Sequence, residues 1–146
     1  MSASTELIEY IYKNAGMGVE SIGKLIDSTQ REDFKAFLCE QHADYKSITQ
    51  ECEKNAHQNG IHLKEIGLMS KLESNMIIKM KTITDHSPDT IAEMLMQGSI
   101  MGIVQSIRKI NEYKNEAESN VIDLAQKLLA IEQRNITECP KWLGVR

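Results

Sequence analysis

The stretch DHSPDTIAEMLMQGSIMGIVQSIRKINEY, residues 85–113, joins a strong helix break to a long run almost without charge. It opens on a break, Asp85-His86-Ser87-Pro88-Asp89. The Ser87 side chain can accept a hydrogen bond from the free N–H groups of a new helix, and Pro88 suits its first turn. Apolar residues then recur near every 3.6 positions as far as about Tyr113. From Ile91 to Ile107 the sole charge is Glu93. A helix that is apolar nearly all round is expected to be buried all round. Gly98 and Gly102, four apart, leave room for a close neighbour.

The same period extends outward in both directions. A helix is predicted from about Thr5 to Asp27, capped by Ser4 or Thr5, with the seam Ile8, Ile11, Ala15, Gly18, Ile22 and Leu25. A second runs from about Arg31 to Gln58, with Phe34, Phe37, Leu38, Gln41, Tyr45, Ile48 and Cys52 on one face. Asn59-Gly60 ends it, because glycine closes a helix in the left-handed conformation. A third covers about Leu63 to Thr82 through Ile66, Met69, Leu72, Met76 and Met80. The last runs from about Glu116 to Cys139, with the face Val121, Leu124, Leu128, Ile131 and Asn135, and stops at Pro140. The tail, Lys141 to Arg146, is expected either to dock Trp142 and Leu143 on the bundle end or to fray. No segment sustains the alternation of a strand, and the gaps are short, so the chain is all-α: an up-down four-helix bundle with an additional helix in the crossover.

The 146 residues fit one domain and can bury a core without staples. A net charge of -4 and the lack of a basic cluster argue against a nucleic-acid surface. No apolar run reaches the length of a membrane span. The N-terminus lacks the charged and apolar regions of a signal peptide. Cys39, Cys52 and Cys139 are odd in number, and the first two are about 20 Å apart on one helix, so reduced thiols in a cytoplasmic protein are expected.

Two pairs of segments match each other. Ala15-Gly16-Met17-Gly18-Val19 aligns with Ser99-Ile100-Met101-Gly102-Ile103, and Glu40-Gln41 aligns with Glu132-Gln133. The first two helices and the last two thus read as two hairpins, suggestive of an internal duplication. This arrangement, with acidic residues at mid-helix, resembles the ferritin-like four-helix bundle. A closer likeness is to small uncharacterised Firmicute-type bacterial proteins, a domain-of-unknown-function family of that superfamily. It is carried by Asn14-Ala15-Gly16-Met17-Gly18, Glu40-Gln41, Ile91 to Ser99 and Glu132-Gln133-Arg134-Asn135-Ile136. The resemblance implies a fold and carries no activity.

A ferritin-type di-iron centre needs one carboxylate from each of two helices and Glu-x-x-His from the other two. Mapping that pattern gives Glu20, Glu40 and Glu132 as carboxylates but Gln105 at the fourth position. Three residues before His42, His57, His62 and His86 stand Cys39, Lys54, Asn59 and Ile83, so no Glu-x-x-His exists. No catalytic residue and no cofactor is expected. Iron or manganese on Glu20, Glu40 and Glu132 is the alternative. The methionines of residues 69–80, Met94 and Met101 read as core fillers rather than copper ligands. Cys39 and His42 lack a third, orienting group.

Gln41 and Asn135 fall on apolar seams, where an unpartnered amide costs on the order of 1–3 kcal/mol. A buried polar cluster of Asn14, Gln41, Tyr45, Gln105 and Asn135 is therefore expected, serving to fix helix register, with a vestigial or altered site as the alternative. The resulting expectation for function is a non-enzymatic protein that works by association, as a homodimer or larger assembly, without nucleic acid or membrane. The alternative is a metal-binding oxidase or storage protein with an atypical carboxylate site.

Overall fold

The computed structural model describes residues 2–63 and 83–146. Helix α1 is Ala3–Ile26, α2 is Glu32–Gln58, α3 is Pro88–Tyr113 and α4 is Ser119–Glu138; a 3-10 turn, Cys139–Trp142, follows. There is no strand among the described residues, and the fold is an all-α bundle. The additional crossover helix expected at Leu63–Thr82 falls on residues 64–82, outside the described residues, and Leu63 itself is in a loop. Among the described residues, no helix is long and apolar enough to cross a membrane.

The helix ends follow local chemistry. Ser2, rather than Ser4 or Thr5, caps α1, its hydroxyl accepting from the Thr5 N–H at 3.1 Å. Gly60 at φ 65° closes α2, and the Ile61 N–H reaches back to the Ala56 carbonyl at 2.8 Å. Helix α4 starts three residues later than expected, after a turn in which the N–H groups of Glu116 and Ala117 bond to the Tyr113 carbonyl at the end of α3. Ser87 caps α3 through the Thr90 N–H, and Pro88 occupies its first turn. Asp85 accepts from the Ser87 N–H at 2.9 Å and from the Thr90 hydroxyl at 2.8 Å. These bonds hold its carboxyl well below the usual carboxylate range. Ser87→Ala should cost about 1 kcal/mol, read as a lower urea midpoint. An unchanged midpoint would mean Asp85 alone suffices to hold the helix start.

Cross-helix bonds fix the directions. Tyr12 bonds Glu53, so α1 and α2 are antiparallel. Tyr113 bonds Glu6 and Tyr10 bonds Ser106, so α3 also runs against α1. The Glu118 N–H bonds Ser4, and Lys127 and Arg134 pair with Glu51 and Asp44, so α4 runs with α1 and against α2. The order is up, down, down, up. Helix α2 therefore ends at one end of the bundle and α3 begins at the other.

The core gathers Leu7, Ile8 and Ile11 of α1, Phe34 and Leu38 of α2, Ile91 of α3 and Leu128 of α4. Trp142 packs edge-on against Phe34, with ring centroids 4.9 Å apart, while Leu143 is exposed. The three cysteines are free. Helix α3 departs from the expectation that it is buried all round. Ile100, Val104 and Ile107 are 53%, 49% and 42% exposed. Its contacts are with α4 on one side and α1 and the 3-10 turn on others, which leaves one face without a covering helix among the described residues.

Candidate functional site

At mid-bundle, α2, α3 and α4 place five polar side chains in the core: Gln41, Tyr45, Ser99, Glu132 and Asn135. Each lies on the inward face of its helix, and Asn135 is the hub. Gln41 Nε2 donates to Asn135 Oδ1. Asn135 Nδ2 in turn donates to Tyr45 Oη at 2.9 Å and Ser99 Oγ at 3.0 Å. Both hydroxyls have thus received a hydrogen bond, and their own protons are free to point at the Glu132 carboxyl, which both contact. The donors run in one sense, from amide to amide to hydroxyl to carboxyl.

Two glycines make the room. A Cβ on Gly18 would stand 2.6 Å from Tyr45 Cγ, and one on Gly102 would stand 2.9 Å from Glu132 Cδ. Both distances are inside van der Waals contact, so only glycine fits either place without displacement. Gly18 of α1 thus receives a side chain from α2, and Gly102 of α3 one from α4. These are the two glycines matched between the halves of the sequence.

Burial dominates the electrostatics. It pushes the Glu132 carboxyl up from 4.5 to about 7, against the pull of the hydrogen bonds from Ser99 and Tyr45. Burial also holds the Tyr45 phenol well above its ordinary value, with Glu132 adding to the effect. Cys139 lies beside the Gln41 amide, and burial raises its thiol to about 11. Gln41 Oε1 is buried without a hydrogen-bond partner. Such a network can store or release one proton at Glu132 near neutral pH.

Of the polar residues read from the sequence, the structure joins Gln41, Tyr45 and Asn135. It does not bring Asn14 or Gln105 to them. Asn14 bonds the Tyr10 carbonyl one turn back on its own helix at 2.8 Å. Gln105 accepts from Arg108 at 3.4 Å, on the flank of α3. Ser99 and Glu132 take their places.

The three carboxylates considered as metal ligands do not converge. Glu20 pairs with Lys24 at 3.3 Å, one turn along α1. Glu40 is exposed and lies 3.9 Å from Arg134. Only Glu132 is inside. Among the described residues, no group of three or more His, Cys, Asp or Glu side chains is placed to hold a metal ion.

No family model and no curated protein matches the chain. Among solved structures, a DUF305 fragment from Deinococcus radiodurans is similar, with a TM-score of 0.78 over 99% of this chain and 97% of that chain. Sequence identity is 8%. A likeness at that identity concerns the backbone alone: this chain shares the helical-bundle fold of that fragment.

Proposed function

We propose that this protein is a non-enzymatic, ferritin-like bundle of the cytoplasm that acts by association with copies of itself. The observation that carries the reading is the exposed apolar face of α3. Ile100, Val104 and Ile107 stand four and three residues apart on one helical stripe, each more than two-fifths exposed. Scattered apolar residues on a surface are ordinary, but a contiguous stripe of branched side chains marks a contact surface. The up, down, down, up order of the helices supports the ferritin-like frame. The polar core supports a structural role: its hydrogen bonds tie α2, α3 and α4 together in one register, and so set the face that α3 presents.

Multi-angle light scattering on the full chain tests this. The wild-type protein is expected at twice the 16.5 kDa chain mass. Val104→Glu, which places a charge in the middle of the stripe without touching the core, is expected at the monomer mass with unchanged helix content. Equal masses for the two proteins would remove the stripe from the account.

A further inference from the structure

We infer that two copies of this chain meet through α3 packed antiparallel on α3, with Val104 on the two-fold axis. The inference rests on the self-association reading above and specifies its geometry. The exposed residues that line up along the outer face of α3 and its C-cap are Glu93, Gln97, Ile100, Val104, Ile107, Asn111 and Lys114, while Arg108 and Glu112 are exposed on its flank. Along that line the spacing alternates four and three, the repeat of a coiled-coil seam, over about 30 Å of helix. In this chain the seam faces outward.

The order of side chains along the seam is the same from either end, apart from the sign of charge. Acid, amide, Ile and Val are followed by Ile, amide and base. Turning a second copy about an axis through Val104 therefore sets like on like in the middle and unlike on unlike at the rim. Val104 meets its own copy, and Ile100 meets Ile107 of the second copy. Gln97 then faces Asn111 of the second copy, two amides that can each donate and accept. Glu93 faces Lys114 of the second copy, an opposite pair, and the symmetry makes it twice. A parallel pairing would set Glu93 against Glu93 and Lys114 against Lys114, which charge opposes. Branched side chains at the middle suit close packing of two helices crossing at a shallow angle. The occupant of this face is thus a second copy of the chain, chosen by charge complementarity and self-matching order.

Two experiments on the full chain test the geometry. The first is disulfide trapping of Val104→Cys in a Cys39→Ser background, since Cys39 is the exposed native thiol. Position 104 on the axis brings the two sulfurs together, and mild oxidation is expected to convert most of the protein to a covalent dimer. Glu112→Cys, off the seam, is expected to trap little in the same background. The second is charge reversal. Glu93→Lys and Lys114→Glu are each expected to weaken the dimer about tenfold, and the double variant to recover wild-type affinity, because each single change sets like charges face to face twice. A wild-type dimer with no trapping at position 104 and no recovery in the double variant would overturn the antiparallel pairing and leave self-association standing. A wild-type monomer at every concentration would overturn both.

Discussion

Glu132→Gln is expected to stabilise the protein by on the order of 3 kcal/mol at pH 8 and to change it little at pH 4.5. The native environment holds the Glu132 carboxyl at about 7 against an ordinary 4.5. The folded protein therefore binds a proton there more tightly than the unfolded chain does. Stability from this group is fully present below about pH 4.5 and is lost as pH rises through about 7. The gap between the two values is worth about 3 kcal/mol, since each tenfold gain in proton affinity corresponds to about 1.4 kcal/mol. A glutamine has nearly the same shape, carries no charge at any pH, and can still accept from Tyr45 or Ser99. It removes the cost of ionising a carboxyl inside the core. The comparison that checks this is urea unfolding of both proteins at pH 4.5 and pH 8. The other titrating groups are common to both, so the difference between the curves belongs to residue 132. Parallel pH dependence would show that Glu132 ionises in the folded protein as readily as in the unfolded one.

Gly18→Ala is the second large effect, with an expected loss of about 2 kcal/mol. Alanine favours a helix interior over glycine by about 1 kcal/mol, so a change of propensity alone would stabilise α1. The new methyl, however, stands 2.6–2.8 Å from three ring carbons of Tyr45. That ring is 4% exposed, and its hydroxyl is tied to Asn135. It cannot withdraw without breaking the polar network, and overpacking of this kind typically costs about 1–3 kcal/mol before the broken hydrogen bonds are counted. The sign should reverse once the ring is gone. In a Tyr45→Ala background, Gly18→Ala should stabilise by up to about 1 kcal/mol, a coupling that thermal unfolding of the four proteins would read. Equal losses in both backgrounds would show that Gly18 serves something other than the ring.

The helices are legible in the sequence because their apolar period is long and their stops are strong. Gly60 and the Ser87-Pro88 pair mark ends that no tertiary contact needs to decide. The start of α4 is not, because it follows a turn in which the N–H groups of Glu116 and Ala117 bond to the end of α3, and that depends on how the turn closes. In the polar core, Gln41 and Asn135 stand out as amides interrupting apolar seams. Glu132 does not. On α4, positions 131 and 132 lie three and four residues past Leu128, and both fit the inward face; Ile131 is the apolar choice. The structure leaves Ile131 half-buried and takes Glu132 inside. The signal that could have found it is Gly102, a mid-helix glycine that makes sense once a bulky neighbour needs the space. Gln105 lies one position before Ser106, which is 1% exposed, so a turn of about 100° around the helix separates a flank residue from a core residue. The outer face of α3 departs from its expected burial for a different reason. Lack of charge predicts burial but does not say which faces the neighbouring helices cover, and α1, α4 and the 3-10 turn leave Ile100, Val104 and Ile107 exposed.

Sedimentation equilibrium of the wild-type chain over a wide concentration range reads its self-association through α3. A mass rising from 16.5 kDa toward twice that value, with no larger species, is the result predicted for a two-fold contact that closes on itself. A mass that stays at 16.5 kDa across the range would contradict it.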